Sequence, residues 1–160
     1  MPQRSKPKEY QVKAAFIYNF VKFIEWPDEL FKDSTTVTFC IIGDDPFVSE
    51  IDTIQGQSVK GKVLEVTRIN SIDKAKNCHL LFISSSERKN ITYILKEIKN
   101  LSVLTIGDTE GFAQQGVIIN FFIEENKIRF EINTDAANCA KIQISSKLLK
   151  LARIVGEGTK

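Results

Sequence analysis

Little in this chain belongs to the chemistries that announce themselves in a sequence. Its 160 residues include one histidine and three cysteines, and Cys40, Cys78 and Cys139 form neither a Cys-x-x-Cys pair nor a Cys/His cluster. A zinc site is therefore not indicated, and no metal is expected. No Gly-x-Gly-x-x-Gly or Walker sequence is present, which removes nucleotide cradling by a glycine loop. No Gly-x-Ser-x-Gly elbow supports serine hydrolase chemistry. The one histidine, His79, follows Cys78 at the start of an apolar run. Neighbours on a strand point to opposite faces, so the two cannot meet as a nucleophile pair, and a structural histidine is the reading. No apolar run approaches the ~20 residues that span a bilayer. Met1 leads into a polar segment and not an apolar signal region, as it would in a chain already processed to its mature form. A formal charge of +2 leaves no electrostatic footprint for nucleic acid. The basic run from Arg4 to Lys8 reads as part of a solvated tail.

What is present is apolar patterning. At 42% hydrophobic content the chain can bury a sizeable core, and one domain over 10–156 is expected, between disordered tails at 1–9 and 157–160. From Tyr10 to Trp26 a helix carries Val12, Ala15, Phe16, Phe20, Phe23 and Ile24 at helical spacing, widened by Ile17 and Val21. Pro27 disfavours helical geometry at the residue before it and is expected to end the helix. Strand runs follow at Thr36–Ile42, Lys62–Ile69, His79–Ile83 and Val103–Ile106, with short helices at Phe47–Ile54 and Ile72–Lys76 and an amphipathic helix through Ile91, Ile94, Leu95 and Ile98. Val117–Ile123 and Lys127–Ile132, split by Glu124-Glu125-Asn126, read as a hairpin whose first strand is covered on both faces. A last helix is expected through Ile144, Leu148, Leu151 and Val155. Strands alternating with helices predict an α/β three-layer sandwich, Rossmann-like or flavodoxin-like: a mostly parallel sheet with a C-terminal antiparallel hairpin at one edge.

In such sheets the ligand crevice lies at the carboxyl ends of the strands. Those ends carry Asp44 and Asp45, Ser84 and Ser85, and Asp108. The cluster could bind a cation or a polar small molecule, or it could serve turns and helix caps. A phosphate-accepting receiver would need an aspartate after the third strand, where Ser84 stands. Cys40 and Cys78 lie on strands that can be neighbours, so a bridge closing a loop of roughly 40 residues and two free thiols are both open readings. Cys139, near the start of the last helix, reads as a small apolar packing residue. Arg129 and Glu131 share one face of the second hairpin strand as a solvated pair, open to partner recognition if that strand is the edge.

With these residues in view, the chain resembles the YfiR-like family of bacterial envelope proteins. The most specific pieces are Val-Lys-Ala-Ala-Phe-Ile-Tyr-Asn-Phe-Val-Lys-Phe-Ile-Glu-Trp-Pro (12–27), Cys-Ile-Ile-Gly-Asp-Asp-Pro-Phe (40–47) and Cys-His-Leu-Leu-Phe-Ile-Ser (78–84). Gly-Phe-Ala-Gln-Gln-Gly (111–116), Ile-Asn-Phe (119–121), Arg-Phe-Glu-Ile-Asn (129–133) and Ser-Ser-Lys-Leu-Leu-Lys-Leu-Ala (145–152) follow in order. The resemblance implies a periplasmic regulator without enzymatic activity or cofactor, its signal peptide removed. It implies binding and repression of an inner-membrane diguanylate cyclase, lowering cyclic di-GMP and biofilm formation, with release through an outer-membrane lipoprotein or redox stress. Related domains sense for signalling kinases, so a small-ligand sensor acting on a sensor kinase is the alternative. Members look dimeric and use disulfides, and Cys40 and Cys78 match the family's cysteine positions. Ala113 and Asn120 stand where some members place a second pair, which puts redox switching by that route in doubt. The expected contact residues are Phe16, Phe20, Phe23 and Trp26 on the first helix and Glu131 on the hairpin; the same apolar surface could form a homodimer.

Overall fold

In a computed structural model the protein is described over residues 2–27 and 35–156, with side chains from Lys8 onward. The expected tail at 157–160 and Asp28 after Pro27 lie outside the described residues. The first helix, α1, spans Pro2–Lys22 and so runs through the stretch expected as a disordered tail. Helix propagation adds one bond per residue once a nucleus exists, and the core-facing half of α1 supplies that nucleus. The helix also ends earlier than Pro27 alone would dictate. Ile24–Glu25 leaves it as a short strand, β1, pairing antiparallel with β9 at Gln143–Ile144.

Among the described residues the main sheet has eight strands: β2 (Thr36–Ile42), β3 (Ser58–Val59), β4 (Lys62–Ile69), β5 (Leu80–Ile83), β6 (Leu104–Gly107), β7 (Ile119–Glu124), β8 (Lys127–Asn133) and β10 (Arg153–Val155). Their order is β10-β8-β7-β6-β5-β2-β4-β3. The run from β7 through β6, β5 and β2 to β4 is parallel throughout. Within it β2, the first strand in sequence, lies between β4 and β5, so the chain reverses its direction of travel across the sheet there. The expected three-layer α/β architecture is therefore present. Side chains alternate across it: Val37, Phe39, Ile41, Leu80 and Phe82 pack under α1 in one core. Cys40, Ile42, Leu81 and Ile83 face the opposite layer with α2 (Ile91–Glu97) and Phe112 of α3 (Phe112–Gln115) in the other.

The hairpin turns through Glu125 and Asn126, both with positive φ, the I′ geometry that matches strand twist. It is not the sheet edge. The expected last helix is replaced by α5 (Ser146–Leu149) and then β10, which pairs parallel with β8. β-Branched Ile154 and Val155 gain more by completing the sheet than by continuing a helix, and Leu151, a member of the expected stripe, is left 66% exposed. Only the first half of β7 is buried, because its neighbour β6 stops early. Cys139, on α4 (Thr134–Cys139), is an exposed free thiol; the short helix turns Ala137 inward instead. Cys40 and Cys78 are joined as a disulfide across a sequence separation of 38.

Candidate functional site

β6 ends at Gly107, paired with Asn120, while β7 runs on to Glu124. Among the described residues Phe121–Glu124 thus have no strand neighbour on that side, and an open cleft of about 790 Å³ lies there. Glu9, Tyr10 and Lys13 of α1 form one wall and Asp108, Glu110, Gly111 and Gln114 the other. Glu131 and Arg153 close it from β8 and β10. The place follows from topology, since chain leaving the carboxyl end of a parallel strand lines the crevice.

Two charged groups of residues meet in it. Lys13 is only 3% exposed, and its Nζ lies 2.9 Å from Asp108 Oδ2 and 2.5 Å from Glu9 Oε2. The Tyr10 hydroxyl donates to the same Asp108 oxygen at 2.7 Å, and its ring lies 4.4 Å from the Lys13 ammonium. Burial, then the hydrogen bond to Asp108 and the negative charges of Asp108 and Glu9, push the Tyr10 hydroxyl far above its ordinary range. Tyr10 is therefore a permanent donor. On the other side Glu131 is buried at 3% exposure. Arg153 donates to its Oε1 at 2.7 Å through Nη2, and Asn120 Nδ2 donates to Oε2 at 3.1 Å. The Arg153 guanidinium also lies 4.1 Å from the centre of the Phe122 ring.

Chemically, the cleft offers recognition. Among the described residues five carboxylates and two cations line it, and their field favours a positively charged or amide-bearing group although the whole chain is slightly basic. Asp108 is engaged by a cation and a phenol. Among the described residues no group of three or more His, Cys, Asp or Glu is placed to hold a metal. Asp108→Asn keeps an acceptor for Tyr10 but removes the charge opposite Lys13. It is expected to cost about 1–3 kcal/mol in urea unfolding.

Of the residues expected at the crevice, only Asp108 lines this cleft. Asp44 lines a second, smaller one of about 560 Å³ with Asp73, Glu87 and Tyr93. Asp45 is occupied by turn and pair chemistry, accepting from Phe47 N and from Arg68 Nε at 2.7 Å. Ser84 caps the following turn, Ser85–Asn90, through Ser86 N. Ser85 is exposed there.

The expected contact residues are corrected in part. Phe20 and Trp26 are interior, at 1% and 6% exposure, and Phe16 and Phe23 are half-buried. Phe16 and Phe20 pack against Phe121 and Phe130, which the sheet presents to α1, with Phe20 stacked on Phe121 and both rings edge-on to Phe130. Trp26 Nε1 donates to the His79 carbonyl at 3.1 Å. His79 Nδ1 in turn accepts from Thr38 N at 2.9 Å, a structural use. Glu131 is no solvated partner of Arg129, because β10 covers β8 and brings Arg153 against it. Arg129 pairs instead with Glu124. Tyr10, Lys13 and Arg153 went unread in the sequence. A lysine lying four and seven residues before Ile17 and Phe20, inside the apolar stripe, was the available signal.

A family profile described as YfiR/HmsC-like matches residues 10–153. None of the curated proteins matches the chain. Among solved structures, a conserved domain protein from Vibrio cholerae O1 biovar eltor is similar with a TM-score of 0.56 at 12% identity. The alignment covers 92% of this chain and 60% of that one. The ABC domain in complex with L-Trp from Streptococcus pneumoniae is similar at 0.54 and 11% identity, covering 79% and 58%. At these identities the likeness is one of fold, and this chain spans about three fifths of either structure.

Proposed function

Because the chain belongs to the YfiR/HmsC-like family, we propose that it is a non-enzymatic periplasmic regulator that binds the periplasmic part of an inner-membrane diguanylate cyclase and represses it, lowering cyclic di-GMP and biofilm formation. The family match over 10–153 carries this reading. Two further features support it. The Cys40–Cys78 bridge suits an oxidising compartment such as the periplasm. No helix among the described residues is long and apolar enough to cross a membrane. Repression needs no catalysis: preferential binding to the inactive cyclase shifts its population by the difference in affinity between its two states.

The contact surface we assign to this role is the rim of the cleft with the exposed flank of α1, since Phe20, Trp26 and Glu131 are interior. An outer-membrane lipoprotein is the proposed releasing partner, and a homodimer the proposed assembly. The acidic cleft favours a second reading, a sensor of a cationic small ligand acting on a sensor kinase. Affinity capture from a detergent-solubilised envelope extract, with and without reductant, separates these. Recovery of a membrane cyclase supports repression, and loss of that capture on reduction adds a role for the bridge. Recovery of a kinase supports the second reading. Recovery of neither in both conditions contradicts membrane-partner regulation.

A further inference from the structure

The two buried charge groups of the cleft are joined, and the joint is Asn120. Its Nδ2 donates to Glu131 Oε2 at 3.1 Å and to the Thr109 carbonyl at 2.9 Å, while its Oδ1 accepts from Thr109 N at 3.3 Å. Thr109 directly follows Asp108, which holds Tyr10 and Lys13 of α1. Asn120, Glu131, Thr109 and Lys13 are exposed by 1%, 3%, 4% and 3%. So little water reaches this chain of bonds that solvent is poorly placed to absorb a displacement. The outer end differs: the Arg153 side chain is 56% exposed and open to an acidic group from outside.

We propose that Asn120 couples the C-terminal strand to the N-terminal helix, so that drawing Arg153 away from Glu131 loosens the docking of α1. With Arg153 withdrawn, the buried Glu131 carboxylate keeps Asn120 as its remaining hydrogen-bond donor among these groups. A donor to a charged acceptor is held more tightly than one to a neutral carbonyl. The amide is pulled toward Glu131 and away from Thr109, and the Asp108 loop loses the bracket that sets it against Tyr10 and Lys13. The consequence is a weaker hold on the first helix from an event at the opposite terminus. Its regulatory use, a partner's acidic group capturing Arg153, rests on the function proposed above. The coupling itself does not.

The test needs only the purified protein. Arg153→Met, Lys13→Met and the double variant are compared by urea unfolding and backbone amide exchange, in wild type and in Asn120→Ala. Among the described residues Lys13 and Arg153 share no ion-pair partner, so independent sites would give multiplicative effects on the unfolding equilibrium. The coupling predicts a departure of about threefold or more from that product, abolished in Asn120→Ala. It also predicts faster exchange at residues 9–14 in Arg153→Met, with β2 unchanged. Multiplicative effects, or unchanged exchange at 9–14, overturn the proposal. Non-additivity that persists in Asn120→Ala also overturns it, because cleft electrostatics would then carry the coupling. Should Asn120→Ala not fold, exchange in Arg153→Met alone decides.

Discussion

Replacing Cys40 and Cys78 together by alanine is expected to lower the unfolding free energy by about 4 kcal/mol and the melting temperature by roughly 8–16 °C. The bridge closes 38 residues of sequence. In the chain-entropy account, opening a loop of that length returns freedom to the unfolded state. The enclosed segment contains β3, β4 and the 3-10 turn at Ile72–Asn77. Cys40 and Cys78 also fill the core beneath α2, so alanine adds a small cavity term to the lost constraint. Differential scanning calorimetry of the variant, beside wild type with and without reductant, separates the two. Reduction alone opens the loop without deleting atoms. If reduced wild type melts within 2 °C or so of the oxidised form, the bridge contributes little and a redox influence on stability is ruled out.

Phe20→Ala is expected to cost about 3–5 kcal/mol. The ring is 1% exposed and packs 5.1 Å from Phe130 and 5.8 Å from Phe121, centroid to centroid. Its removal opens a cavity where α1 meets the sheet and deletes aromatic contacts from both hairpin strands. The size of the effect separates two roles for the same side chain. A surface contact truncated to alanine changes stability by less than about 0.5 kcal/mol, whereas an interior one shifts the urea midpoint strongly. Any loss of partner binding in Phe20→Ala is then read after correcting for the unfolded fraction. A cost under 1 kcal/mol or so would place Phe20 outside the core.

Much of the fold was legible because its cues are local. β2 and β4 have the bounds read from the sequence, and the I′ hairpin was visible as two β-rich runs around an acidic, Asn-containing turn. Of the residues expected at a strand-end crevice, only Asp108 lines the cleft beside β7. What escaped is non-local. The spacing of Ile144, Leu148, Leu151 and Val155 fits a helix, and nothing nearby reveals that β8 needs a covering strand. Once β10 supplies that cover, Glu131 changes from a solvated alternate position to a buried carboxylate held from 22 residues away. Lys13 was hidden by expectation, because lysines on helices are usually solvated and this one is enclosed by Glu9, Tyr10 and Asp108.

The central claim, repression of a membrane diguanylate cyclase from the periplasm, is tested most directly by the cyclic di-GMP content of the source bacterium. The gene is deleted, then restored with a periplasmic export signal or without one. The account predicts a rise on deletion that only the exported form reverses. Unchanged cyclic di-GMP on deletion, or reversal by the form retained in the cytoplasm, would contradict it.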